Sequence, residues 1–236
     1  MTDERIKVLE DKIASLPDAG KEGNNKVDLL HQLSDEIYKD DPDKAFLYAR
    51  DALDLSRRLK YKKGIAQSEL NTGKYHIKMK EYDEALALAQ KSLQYFQKAK
   101  RKKGAADCHY YIGVIYENTS NYKKALKHYS KVLDLYEDIS DKKGAASAAN
   151  QIGRIYGFTG ENQKGLDYHY KALKLRQELG DKPGIAASYS NIGGVYDNMG
   201  EYDKALQYLD NAHKISAEAG NKMGIANACI CMGNVY

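Results

Sequence analysis

The side chains in this 236-residue sequence best suited to hold a metal or move protons are six histidines, His31, His76, His109, His128, His169 and His213, and three cysteines, Cys108, Cys229 and Cys231. A structural metal centre needs four nitrogen or sulfur donors, usually arriving as close pairs. Cys229 and Cys231 form one short pair with no second pair nearby, and His213 lies far back in the preceding segment, so they read as small helix residues. His128 and His169 stand 41 positions apart with no carboxylate or thiol beside them, which makes a poor site, and the histidines as a group read as surface or boundary residues. No P-loop, G-x-G-x-x-G, H-E-x-x-H or G-x-S-x-G motif occurs, and no strand pattern exists to carry the first or last of these. The expectation is a chain that is not an enzyme, with no metal and no cofactor.

Charge is the other source of chemistry. The net charge is +4, but residues 51–104 hold 14 Lys/Arg against 6 Asp/Glu. The excess gathers at Arg57, Arg58, Lys60, Lys62 and Lys63, and again at Lys98, Lys100, Arg101, Lys102 and Lys103. Such clusters either contact phosphate, which would make the chain a nucleic-acid binder, or are solvated loop faces. An odd number of cysteines without framework spacing fits a reducing compartment. The charged start and the lack of any 18-residue apolar run give neither a signal peptide nor a membrane span, so a cytoplasmic location is the default.

A repeat must position whatever function there is. Gly-x-Ala returns every 40 residues, at Gly64/Ala66, Gly104/Ala106, Gly144/Ala146, Gly184/Ala186 and Gly224/Ala226. A second set follows as Asn71-Thr72-Gly73, Tyr111-Ile112-Gly113, Gln151-Ile152-Gly153, Asn191-Ile192-Gly193 and Cys231-Met232-Gly233. Three residues beyond each glycine stands His76, Tyr116, Tyr156, Tyr196 or Tyr236. Apolar and small residues spaced by three and four define a first helix in each unit. A helical glycine costs about 1 kcal/mol relative to alanine, so its regular presence implies a close approach by another helix. Turns follow, with Gly160 and Gly200 suited to left-handed caps. A second helix then carries Ala45, Ala85, Ala125, Gly165 and Ala205, which let paired helices nest. Gly180-Asp181 and Gly220-Asn221 read as a helix stop followed by an N-cap. Each unit is a helical hairpin that cannot bury its apolar stripes alone and must stack on its neighbours, so the fold class is all-α.

The units resemble the tetratricopeptide repeat, through Ile-Gly-x2-Tyr followed by the alanine positions, over about residues 26–236. They depart from it where Tyr189, His109 or Ala149 replaces the tryptophan, in lacking the terminal proline, and in a unit of 40 rather than about 34 residues. The longer unit, linked by Gly-Asp-Lys-x-Gly-Ile-Ala, is similar to a variant found in cell-polarity adaptors and bacterial signalling proteins. The stretches Asn25–Leu30, Asp41-Pro42-Asp43-Lys44-Ala45 and Tyr61–Ala66 carry the bacterial likeness. The resemblance implies a right-handed superhelical solenoid of antiparallel helix hairpins, with about five and a half repeats. It also implies a peptide- or protein-binding scaffold, serving as an adaptor or as the regulatory input of a larger signalling protein.

Residues 1–25 are expected to be an N-terminal helix, amphipathic through Ile6, Leu9 and Ile13, followed by a linker over 17–25. The solenoid is expected over 26–236, its last repeat incomplete, with Met232, Val235 and Tyr236 lacking cover. From that incomplete repeat a fragment of a longer protein is expected, with a surface for self-association. In this fold the residues flanking the core stripe of the first helices point into the concave groove. By alignment they include Leu70, Lys74, Ile77, Tyr110, Val114, Glu117, Asn150, Arg154, Ser190, Asp197 and Asn234. Lys74 and Arg154 suit acidic side chains, Tyr110 offers a flat apolar contact, and Asn150 or Asn234 suits a peptide backbone. The lysine/asparagine clamp that some members use on a terminal carboxylate is not reproduced, so the expected partner is an internal or extended peptide segment.

Overall fold

The computed structural model describes residues 2–235, the first two of them by backbone alone. Tyr236, expected among the repeat tyrosines, lies outside the described residues. Twelve helices fill the described residues, and no strand occurs among them: α1 Thr2–Ser15, α2 Gly20–Ile37, α3 Pro42–Arg58, α4 Lys62–Lys78, α5 Tyr82–Lys98, α6 Lys102–Asn118, α7 Tyr122–Asp138, α8 Lys142–Phe158, α9 Asn162–Leu179, α10 Lys182–Asn198, α11 Tyr202–Glu218 and α12 Lys222–Val235. Two compact units are present, one ending at Ile115 and the other beginning at Tyr116.

From α3 onward a new helix begins every 20 residues, so the 40-residue sequence period is two structural steps. The corners explain the regularity. A residue with positive φ stands at Lys60, Lys80, Lys100, Ser120, Ser140, Gly160, Gly180, Gly200 and Gly220. The next residue donates its N–H back to a carbonyl five positions earlier, as in Tyr61 to Ser56 (2.8 Å), Glu81 to His76 (2.9 Å) and Asn221 to Ser216 (2.9 Å), the bond that closes a Schellman turn. The following helix is then capped where the sequence supplies an acceptor. Asp41 takes the N–H of Lys44 (2.9 Å) ahead of Pro42, and Asp141 and Asp181 take those of Gly144 (2.9 Å) and Gly184 (3.1 Å). The Gly-x-Ala glycines are steric. A Cβ at Gly104 or Gly144 would stand 2.5 Å from the ring of Phe96 or Tyr136 on the preceding helix.

In the first unit α1 docks through Leu9, with Ile6 and Ile13 partly buried, onto Leu33, Ile37 and Ala45 of α2 and α3. Glu10 accepts hydrogen bonds from Tyr48 (2.6 Å) and Lys44 (3.0 Å), tying the same helix down at its rim. The segment expected to be a linker is helical from Gly20 onward. The helix can start so early because Gly23 is buried with no Cβ to collide with Leu59, which comes within 2.9 Å of where one would stand, and Val27 is fully buried a turn later. In the second unit Leu166, Leu173, Ile192 and Val195 form a core with Tyr189, Tyr196 and Tyr208 packed against it. Met232 and Val235, expected to lack cover, are half-buried. Exposure on α12 falls instead on Met223 (76%) and Ile230 (62%).

Candidate partner-binding face

In the first unit the residues expected to line a groove are largely committed to the fold. Leu70 is fully buried and belongs to the core. Lys74 is also buried. Its ammonium donates to Asp35 (2.6 Å) and lies 5.1 Å from the centre of the Tyr111 ring, while its carbonyl accepts from the Tyr38 hydroxyl (2.8 Å). Burial opposes that charge, yet Tyr111, Asp35 and Asp107 together hold its pKa above the usual lysine value. Ile77, Tyr110 and Val114 are half-buried, with Tyr110 packed edge-on to Tyr111 at 5.3 Å between ring centres. Of the basic corner residues, Arg58 and Lys63 pair with Asp18 and Asp28 (both 3.1 Å), and Lys98 through Lys103 are exposed.

The second unit is open. Here the first helices of successive hairpins, α8, α10 and α12, lie side by side and enclose a cleft of about 330 Å³. Arg154, Ser190, Asp197 and Asn234 from the expected lining all border it. Glu117 and Asn150 stand apart from the cleft but brace it. Glu117 forms an ion pair with Arg154 and accepts from the Tyr129 hydroxyl (2.8 Å), and Arg154 also donates to Gln151 (2.8 Å). Asn150 accepts from the amide of Asn191 (2.6 Å), linking α8 to α10. The Asp197 carbonyl accepts from the Gly200 N–H (2.9 Å), but its carboxylate makes no ion pair or hydrogen bond among the described residues. Ser190 is half-buried and Asn234 exposed.

Of the bordering residues outside the expected lining, four shape the space. Phe158 is 61% exposed at the edge, with the Arg154 guanidinium 5.7 Å from its ring centre. His169 of α9, expected at the surface or boundary, is 2% exposed, stacked beneath Gly153, with no hydrogen-bond partner for Nδ1. Burial, then the positive charges of Arg176 and Arg154, pushes its pKa down to about 4, so it is neutral. Gly157 and Gly194 complete the set, and a Cβ added at either would meet nothing within 4 Å. The signal for these glycines is present in the repeat register. Gly157 stands where other units have Ile77, Glu117 and Asp197, and Gly194 stands where they have Lys74, Val114, Arg154 and Asn234.

A family model described as tetratricopeptide repeat matches residues 64–138 and 144–219, together more than half of the chain. The chain belongs to the tetratricopeptide repeat family. Its repeats are similar in fold to BtubC from P. vanneervenii, with 18% identity, 93% of this chain and 92% of that one covered, and a TM-score of 0.77. A Rap protein complexed with Competence and Sporulation Factor is similar at 15% identity, over 92% of this chain and 65% of that one, with a TM-score of 0.67. A Signal Transduction ATPase with Numerous Domains from Pyrococcus horikoshii, described as having a tetratricopeptide repeat sensor, is similar at 17% identity, over all of this chain and 38% of that one, with a TM-score of 0.69. At these identities the likeness is one of fold. Comparison with curated proteins finds no match. No helix among the described residues is long and apolar enough to cross a membrane.

Proposed function

We propose that this tetratricopeptide repeat chain is a non-catalytic protein-interaction scaffold that holds an extended segment of a partner against the first helices of its second unit. The observation that carries this reading is the cleft between α8, α10 and α12, where Arg154, Ser190, Asp197 and Asn234 meet the exposed ring of Phe158. A preformed concave site with an apolar edge and a few polar groups is what recognition of a flexible segment needs, since the scaffold has no ordering of its own to pay for. The Rap protein complexed with Competence and Sporulation Factor supports a ligand-binding use of this fold. The sensor region of the Pyrococcus horikoshii ATPase supports a place as the regulatory input of a larger signalling protein.

Selection of displayed random peptides on the intact chain tests the reading. Bound peptides are expected, with binding lost in Ser190→Trp and Asn234→Trp and kept in Lys131→Trp, an exposed position on the second helix α7. Failure to select any peptide, or binding that ignores the first two substitutions, would overturn it. A second reading, self-association through α12, is favoured by the exposure of Met223 and Ile230. It predicts a molecular mass that rises with concentration in sedimentation and reverts to that of a monomer in Met223→Glu/Ile230→Glu.

A further inference from the structure

We propose that the cleft of the second unit is a seat for one basic side chain, lysine or arginine, of the bound segment, with the Asp197 carboxylate receiving its charge. The inference rests on the scaffold reading above and names the partner chemistry of that site.

The space is made by deletion. Gly157 and Gly194 are helix-interior residues that each cost about 1 kcal/mol relative to alanine. Nothing packs where their side chains would be. The same two registers elsewhere in the chain carry a side chain, so the room at Gly157 and Gly194 is specific to those two positions. Packing does not require either glycine, in contrast to Gly153, where the His169 ring lies 2.8 Å from a built Cβ.

The charges around that space select the occupant. Among the described residues, Arg154 and Asp197 are the only charged ones bordering the cleft. Arg154 is neutralised by Glu117 and held further by Gln151, whereas the Asp197 carboxylate has no countercharge among the described residues. His169 closes the floor as an uncharged ring and adds nothing to repel a cation. The local balance is one unpaired carboxylate. A basic side chain matches it at both ends. Its aliphatic stem lies against Phe158 and Val195, and its head, which carries only donors, meets Asp197 and the amide oxygen of Asn234. An acidic side chain would face Asp197 across the same space, and an apolar one would leave that carboxylate desolvated without a partner.

The test uses pools of decapeptides in which one central residue is fixed and the flanking positions are randomised, with binding to the intact chain read by fluorescence polarisation. Pools fixed as lysine or arginine are expected to bind about tenfold more tightly than pools fixed as glutamate or leucine, the scale of one charge-assisted hydrogen bond. The preference should vanish in Asp197→Asn, and all binding should fall about tenfold or more in Gly157→Leu and in Gly194→Leu, with helical content unchanged by circular dichroism. Equal or tighter binding of the glutamate or leucine pools, with Gly194→Leu still blocking them, would overturn the basic seat and leave the scaffold reading standing. Binding by no pool would overturn both.

Discussion

At the scale of single residues, three glycines on neighbouring turns of α8 and α10 are expected to respond to the same substitution with opposite signs. Gly157→Ala and Gly194→Ala place a methyl group in open space and remove a helix penalty, so each should stabilise the chain by about 0.5–1 kcal/mol. Gly153→Ala drives a Cβ into the buried ring of His169 and should cost about 1–3 kcal/mol. Urea midpoints of the three variants check this. Lys74 and Arg154 divide in a similar way. Lys74→Glu buries a carboxylate facing Asp35 and should destabilise the chain by about 3 kcal/mol, while Arg154, 39% exposed along its side chain, should change stability by about 1 kcal/mol or less on conversion to Gln. A loss of binding in a Lys74 variant would therefore report unfolding, whereas one in an Arg154 variant would report the face. Sequence alignment placed both lysine and arginine in one lining because register is shared. It did not show Asp35 or Glu117 across from them, since those pairings join residues nearly one full repeat apart.

At the scale of elements, the turns hold the fold to its 20-residue step and leave room for improvement. Lys60, Lys80, Lys100, Ser120 and Ser140 adopt the left-handed conformation that Gly160, Gly180, Gly200 and Gly220 adopt without a Cβ penalty. Lys80→Gly and Lys100→Gly should each raise stability by about 1 kcal/mol, measured by chemical denaturation. Gly160 and Gly200 announced their caps in the sequence, but a lysine or serine carries no such signal, and the geometry at those corners is imposed by the helices on either side. Helix identity was legible for a comparable reason. Ala45, Ala85, Ala125 and Ala205 are all buried, because the packing that demands a small residue recurs in every hairpin. Leu70 shows where register stops being informative. The equivalent Tyr110, Asn150 and Ser190 are half-buried and Ile230 is exposed, so one register serves core and surface alike.

At the scale of the molecule, each unit carries one buried neutral histidine, and together they set the acid limit of stability. Burial pushes His31 to about 4, against the pull of Asp28 and Asp35, while its Nε2 shares a hydrogen bond with Ser68 (2.7 Å). His169 lies at about 4 as well. An unfolded histidine titrates near pH 6.5, so as pH falls the unfolded chain takes up these protons first. The stability both residues contribute is therefore complete above about pH 6.5 and is lost between there and pH 4, by about 3 kcal/mol each. Unfolding free energies measured across that range should fall steeply, and His169→Gln should make the slope shallower. The all-α repeat architecture was readable from periodicity alone, since stacking reuses the same contacts. The cleft was not, because it is defined by side chains that are missing from two registers and by a histidine whose burial depends on a neighbouring glycine.

The central claim is that the open face of the second unit binds a partner segment through space reserved by Gly194 and Gly157. One measurement addresses it most directly: the affinity of a selected peptide for Gly194→Leu beside the unaltered chain, with thermal stability recorded on the same samples. The account predicts a variant at least as stable as its parent whose binding is weaker by about tenfold or more. Unchanged affinity in that folded variant would contradict it.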